Sequence, residues 1–348
     1  MCSIGEAKKR MEADLPFFQT APGEDLFVRL RELTYSGHKL KAVQVSASPF
    51  INWRSSKLDR QMSGLLEEWR SQGCHLVFFD HMPLSFKRKY GVETLIRARE
   101  WRMAPECLYL RSFNSSCEVF EANGISGKYL SKQIVKKLSG HRTCLISSSD
   151  DLTELKSAAQ YSLFAANNDK GEAIGYMKCF MADQKLHIKE WAAISPKAKP
   201  ALWNKIRTLP ANELILTLQE SDSFPYQLKN PFLSSRQLPV FIGKIINLPD
   251  FMAVFPFNNA ESPLYLQVTD SSLPANSGIY CIEDGKGRAV QSAGCRSVLS
   301  VESSILAALL FKSLNPGMLY GAGYINGSTH DVRLLEKALP GEKPYCFL

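Results

Sequence analysis

Residues 43–99 read VQVSASPFINWRSSKLDRQMSGLLEEWRSQGCHLVFFDHMPLSFKRKYGVETLIRAR. The stretch opens with alternating β-branched residues, which favour a strand, and passes through a loop into an amphipathic segment at residues 55–72. Five apolar residues of this segment recur at the spacing of one buried helix face: Leu58, Met62, Leu65, Leu66 and Trp69. The apolar strand CHLVFFD follows, and then come a short basic helix and a further strand. This order predicts a layered α/β domain.

The rest of the chain predicts two more parts. A chain of 348 residues is long enough for two or three domains of about 100–200 residues each. Residues 161–194 contain apolar stretches separated by turn-rich segments, which predict an antiparallel meander, and a helix and a strand follow. Towards the carboxyl terminus, short strands precede helices at residues 301–311 and 331–338, which is typical of an α+β domain. The predicted domains are 1–110, 111–237 and 238–348.

Composition argues against several classes of function. No apolar run approaches the roughly 18–20 residues that a membrane span requires, so no span is predicted. The nine cysteines include no C-x-x-C pair, and the six histidines show no ligand spacing. We therefore predict free thiols, no metal and a cytoplasmic location. The net charge of +8 favours anionic partners. The basic residues of the chain are scattered, however, and lack interleaved aromatic residues, so no nucleic-acid partner is expected.

Several segments, in order along the chain, carry a resemblance to a known family. They are the helix after Arg54, SFKRKYGVE, GYMKCF, IKEWAAISPKAKPALWNKI, IINLPDFM, VTDSSLPANSGIY and MLYGAGYINGSTHDVRLLEKALPGEKPYCF. In this order the chain resembles the enhanced-intracellular-survival (Eis) family of acetyltransferases. The resemblance implies an α/β (α+β layered) fold with tandem GNAT-like acetyltransferase domains. It also implies that a sterol-carrier-protein-like α+β domain follows the second, and the short segment before residue 43 predicts that the first is shortened.

The resemblance also implies a co-substrate, an acceptor and an assembly. Members of the family transfer acetyl from acetyl-CoA to an amine, so it implies a small-molecule or peptide amine acceptor and a homo-oligomer. The implied cofactor-binding residues are Val45, Arg54, Ser55, Ser56 and Lys57. Glycines in the family's loop let backbone N–H groups at a helix start close around a pyrophosphate, and this chain lacks those glycines. An ordinary helix start without a ligand is therefore the alternative.

The implied catalytic residues also depart from the family's pattern. Alignment on Gly91 places Lys87 where the family has its tyrosine acid, and a lysine has an unperturbed pKa of about 10.4, close to that of tyrosine. Tyr90 is a second candidate acid, or alternatively a core aromatic. The carboxylate of Leu348 takes the place of the family's base. Two hypotheses follow: an active N-acetyltransferase, and a pseudoenzyme that serves as a binding or assembly module.

The segment before residue 43 is shorter than the family's. We expect one helix from Asp25 to Leu33 and an incomplete first sheet. An incomplete sheet exposes backbone donors and acceptors unless another surface covers them, and a partner subunit is one candidate for that cover.

Overall fold

A computed structural model describes most of the chain. The described residues are 17–21, 24–35, 38–47, 56–79, 82–109, 117–122, 129–130, 133–134, 136–137, 144–147, 162–220, 222, 224–341 and 345–347.

The helices and strands are numbered here in chain order. The helices are α1 (Ser56–Ser71), α2 (Leu84–Tyr90), α3 (Ala198–Arg207), α4 (Leu248–Val254), α5 (Ser303–Leu310), α6 (Pro316–Gly321) and α7 (Thr329–Ala338). The strands of the first half are β1 (Phe17–Ala21), β2 (Glu24–Tyr35), β3 (His38–Ala47), β4 (Leu76–Phe79), β5 (Glu93–Met103), β6 (Glu118–Glu121), β7 (Cys144–Ser147), β8 (Ser162–Asn167) and β9 (Ala173–Ala182). Those of the second half are β10 (Lys185–Ala193), β11 (Glu213–Gln219), β12 (Ser235–Ile245), β13 (Leu264–Thr269), β14 (Gly278–Glu283), β15 (Lys286–Val290), β16 (Leu299–Glu302), β17 (Ile325–Asn326) and β18 (Tyr345–Phe347).

A sheet of thirteen strands is built from the first two thirds of the chain and from the last strand, β18. Its order is β18-β7-β2-β3-β4-β12-β5-β11-β10-β9-β8-β6, and β1 pairs with β2 outside this path. Strands β3 and β4 are parallel and are connected through α1. The five apolar residues of the predicted helix stripe are all buried in α1, so the helix expected over residues 55–72 is confirmed.

The meander expected over residues 161–194 is also confirmed. Strand β8 pairs antiparallel with β9, and β9 pairs antiparallel with β10. In the β9–β10 turn, Asp183 and Gln184 have positive φ. Helix α3 then connects β10 to β11, which are parallel. A β-α-β unit thus occurs once in each half of the large sheet.

The carboxyl-terminal region forms a second sheet of five strands, in the order β15-β14-β13-β16-β17. Asp284 and Gly285, at φ 51° and 72°, make the tight β14–β15 turn that Asp-Gly predicts. The two predicted helices correspond to α5 and α7. Helix α6 was not predicted, and it begins where Asn315 accepts a hydrogen bond from the backbone N–H of Met318.

Strand β12 belongs to the large sheet, where it lies between β4 and β5 and is antiparallel to both. The predicted boundary between residues 237 and 238 falls inside this strand. Phe241, Ile242 and Ile245 are buried on its two faces. After β11 the chain therefore crosses back to the middle of the large sheet, between β4 and β5.

The helix expected at Asp25–Leu33 is wrong, because this segment is strand β2. Its apolar residues follow the two-residue period of a strand: Leu26 and Val28 are buried against α1, whereas Leu33 is buried on the opposite face of the sheet. Strands β7 and β18 extend the edge beyond β2.

The two faces of the first sheet are covered by different parts of the chain. Helices α1 and α2 pack on one face, and the carboxyl-terminal helices, including α5, pack on the other. Both faces of this part of the sheet are therefore covered by helices of the same chain. No helix among the described residues is long and apolar enough to cross a bilayer.

Candidate functional site

The predicted cofactor site lies at the carboxyl ends of β3 and β4. The two strands pair in parallel from Ala42 with Leu76 to Val45 with Phe79, and α1 begins at Ser56, shortly after β3 ends. Ligands of open α/β sheets bind beyond the carboxyl ends of parallel strands, and anions favour the amino terminus of a helix. This edge therefore has the arrangement of an anion site.

Val45 lies in the interior of the sheet. It is 1% exposed and pairs with Val28 on one side and with Phe79 on the other. Since β3 has a hydrogen-bonded neighbour on each side here, a cofactor amide would reach the Val45 backbone only if the Phe79 end of β4 moved away.

The predicted loop residues are only partly visible. Arg54 and Ser55 lie outside the described residues. Ser56 and Lys57 are the first two residues of α1, and their side chains also lie outside the described part.

Lys87 lies on α2 and is half-buried. Its Nζ donates a 3.0 Å hydrogen bond to Thr94 Oγ1 and lies 3.4 Å from Glu93 Oε1. Thr94 is level with Ile242 of β12, which is level with Phe79 of β4. Two strand spacings, or about 10 Å, therefore separate Thr94 from the end of β4. These bonds hold the Lys87 amine away from the β3–β4 seam.

Tyr90 ends α2 and is packed into the layer between the helices and the sheet. It is 3% exposed, and its ring centroid lies 4.6 Å from that of Phe86. This is the environment of a core aromatic. Its role as a proton donor remains a prediction.

Leu348 lies outside the described residues, but the strand before it returns to the first sheet. In β18, Phe347 is level with Ile146 of β7, which is level with Thr34 of β2 and thereby with Lys39 of β3. From Lys39 to Ala47, the carboxyl end of β3, is eight residues, or roughly 26 Å of strand. The tail therefore reaches the sheet near the amino end of β3.

A buried ion pair joins the large sheet to the carboxyl-terminal domain. Lys244 of β12 is 1% exposed, and its Nζ lies 2.7 Å from Asp270 Oδ2. Burial by itself raises the pKa of Asp270, but the charge of Lys244 and hydrogen bonds from Lys244, Ser303 and Asn276 outweigh it, so the pKa lies below its ordinary value. The carboxylate is therefore ionised where it holds the two sheets together.

Further hydrogen bonds extend this junction. Asp270 Oδ1 accepts from the backbone N–H groups of Ser272 and Leu273, at 3.1 and 3.0 Å. The Ser272 hydroxyl donates to the carbonyl oxygen of Tyr90 at 2.9 Å. The end of α2 is thus fixed to the carboxyl-terminal domain.

A cleft of about 770 Å³ lies beside this junction. One wall comes from α2 and the first half of β5, and it includes Lys87, Arg88 and Arg97; the other comes from α5, α6 and Tyr324. Sequence reasoning missed the cleft, because its walls come from segments far apart in the chain. A lysine inside the apolar run VFIGKII was the available signal for the buried pair.

No cluster of three or more histidine, cysteine, aspartate or glutamate side chains suited to a metal ion occurs within the described part of the chain.

Comparison with known proteins supports the fold. Residues 248–347 match the family model of the sterol carrier protein domain. A search of curated protein sequences found no match. Solved structures resemble nearly the whole chain. One is a probable N-acyltransferase of unknown function from Enterococcus faecalis, with TM-score 0.82 and 18% identity over 93% of this chain and 85% of that one.

Two further solved structures are similar. A GCN5-related N-acetyltransferase from Kribbella flavida has TM-score 0.75 and 19% identity, covering 93% of this chain and 83% of that one. Eis1 from Mycobacterium abscessus has TM-score 0.75 and 16% identity, covering 93% and 86%. At these identities the likeness establishes the fold. The chain therefore has the GNAT-type architecture with a carboxyl-terminal sterol-carrier-protein-like domain, as predicted.

Proposed function

We propose that this protein binds acetyl-CoA at the carboxyl ends of β3 and β4 and transfers the acetyl group to an amine. The observation that supports this most directly is the parallel β3–β4 pair with α1 beginning behind it, in a chain that shares its fold with N-acetyltransferases. The pyrophosphate would lie at the start of α1, where Arg54, Ser55, Ser56 and Lys57 provide hydroxyl groups and positive charge.

The chemistry requires two proton transfers. The acceptor amine loses a proton as it attacks the thioester carbonyl, and the departing CoA thiolate gains one. Lys87 or Tyr90 is the proposed acid. The Leu348 carboxylate is the base that the family resemblance suggests, and because the strand before it is level with the amino end of β3, this role requires the tail to move by roughly 26 Å towards the site. The acceptor would be a small-molecule or peptide amine, and the working unit a homo-oligomer.

Acetyl-CoA is expected to raise the melting temperature of the purified protein. A ligand at about 100 times its dissociation constant adds roughly 2.7 kcal/mol to the free energy of unfolding. Lys57→Ala should reduce the shift by removing a charge at the start of α1. Lys286→Ala, a change at an exposed position of the distant β15, is the matched control and should leave the shift as it is. The absence of a shift at millimolar acetyl-CoA would contradict cofactor binding.

A non-catalytic binding or assembly module is the second candidate function. It is favoured by the contacts of Lys87 with Thr94 and Glu93, which hold the proposed acid about two strand spacings from the end of β4. The burial of Tyr90 supports the same view.

Lys87→Met separates the two functions. If Lys87 is the acid, acetyl transfer should fall by roughly 10²–10⁴-fold while the acetyl-CoA melting shift is kept. Lys89→Met, at an exposed position of the same helix, is the control and should retain turnover. Transfer that survives Lys87→Met would remove Lys87 as the acid. Binding of acetyl-CoA without transfer to any amine would favour the module.

A further inference from the structure

The cleft between α2 and the carboxyl-terminal helices has the size of a small-molecule site. Its volume of about 770 Å³ falls within the range of about 300–1,000 Å³ that is usual for ligand pockets. It lies between two parts of the chain that are fixed together by the Lys244–Asp270 pair. The cleft is therefore open to solvent on one side and lies between two walls that this ion pair links.

Most charges that line the cleft are already paired. Lys87 faces Glu93 at 3.4 Å, and Asp270 is compensated by Lys244 at 2.7 Å. Arg88 and Arg97 also line the cleft, and neither has an ion pair with any residue that the structure describes. Glu302, which is exposed at the rim of the cleft, offsets one of these two positive charges. The remaining charge of the lining is therefore positive.

The opposite wall of the cleft is polar where helix α5 begins. Helix α5 begins at this wall, and its first residues Ser303 and Ser304 line the cleft. The preceding residue, Glu302, gives the helix no side-chain cap. Ser303 already donates a hydrogen bond to the ionised Asp270 carboxylate, so the attraction for an anionic ligand comes from the arginines.

An apolar surface accompanies these polar groups. Ile305, Leu314 and Leu319 line the cleft, and Leu84 and Tyr324 lie at its mouth, each 60% exposed. Exposed apolar side chains beside a cavity are typical of a ligand-binding groove.

We propose that this cleft binds a small molecule that carries a carboxylate or phosphate on an apolar body. Arg88 and Arg97 hold the anionic group, because a guanidinium matches both anions with paired N–H donors. The apolar body lies along Ile305, Leu314 and Leu319. This inference does not depend on acetyl transfer, because Lys87 is the one lining residue that the proposed acetyl transfer uses and the arginines that hold the ligand have no part in it.

Calorimetric titration with four probes tests the proposal. Octanoate and octyl phosphate carry both features, and they distinguish a carboxylate ligand from a phosphate ligand. Acetate and 1-octanol carry one feature each. We expect at least one of the first two probes to bind, with acetate and octanol at least tenfold weaker. If neither octanoate nor octyl phosphate binds, or if octanol binds as well as they do, the proposal is wrong.

Variants place the binding in the cleft. The double change Arg88→Gln and Arg97→Gln should weaken binding by at least tenfold, since each charged hydrogen bond accounts for about tenfold. Ser304→Phe should also weaken it, by filling the cavity. Arg207→Gln, at an exposed position at the end of α3, is the matched control and should bind as the unchanged protein does. An affinity within twofold of the unchanged protein in either cleft variant would overturn the assignment.

Discussion

Asp270→Asn is expected to lower the free energy of unfolding by about 3–5 kcal/mol, the usual cost of leaving one partner of a buried ion pair without the other. Asparagine has the shape of aspartate, so no cavity forms, and the change isolates the lost charge. Lys244 is 1% exposed and would lie beside a neutral amide at the junction of the two sheets. Chemical denaturation with a constant m-value would measure the loss.

Three comparisons make this expectation specific. Asp284→Asn, at an exposed turn position with φ 51°, should stay within about 0.5 kcal/mol of the unchanged protein because asparagine tolerates this conformation. Lys244→Met should cost less than Asp270→Asn, since Asp270 keeps its backbone donors. Adding Lys244→Met to Asp270→Asn should restore part of the loss. A double variant that loses the full sum of the two single changes would mean that the pair is not coupled.

The same pair gives the protein a dependence on acid. Because the pKa of Asp270 lies below its ordinary value of 3.8, the native state binds this proton less readily than the unfolded chain does. Its contribution to stability is therefore complete above pH 3.8 and disappears as the pH falls through the lowered pKa. The difference in the free energy of unfolding between the unchanged protein and Asp270→Asn should become smaller as the pH falls below 3.8.

Local features of the fold were predictable from the sequence. The spacing of the apolar residues in α1, the alternation in β8–β10 and the Asp284-Gly285 turn each depend on neighbours in the chain. The helix predicted for Asp25–Leu33 was wrong because the leucines and charged residues of this segment fit the period of a helix almost as well as that of a strand. Pairing with β3 over the length of β2 decided in favour of a strand.

Long-range features were not predictable. Nothing within residues 235–245 indicates that β12 enters the first sheet between β4 and β5, because its partners lie far back in the chain. The same applies to the cleft, to the tail strand and to the hydrogen bond between Lys87 and Thr94. The resemblance identified Lys87 and Tyr90 as candidates. Their separation from the β3–β4 seam depends on tertiary packing, which no local pattern contains.

Phe241→Ala is expected to cost about 3–5 kcal/mol of unfolding free energy, which is typical of truncating a buried phenylalanine. Phe241 is 1% exposed on β12. Its ring centroid lies 4.9 Å from that of Phe78 in the first sheet and 6.0 Å from that of Phe311, which follows α5. The ring therefore fills space between the large sheet and the carboxyl-terminal domain, and its loss weakens both.

Phe232→Ala is the matched control for this change. Phe232 is 92% exposed, so its truncation should alter stability by no more than about 0.5 kcal/mol. Because the carboxyl-terminal domain covers the face of the first sheet, Phe241→Ala should lower the melting temperature of both regions together in one calorimetric transition. If the two regions instead melted separately in the unchanged protein, the large sheet and the carboxyl-terminal domain would not form a single cooperative core.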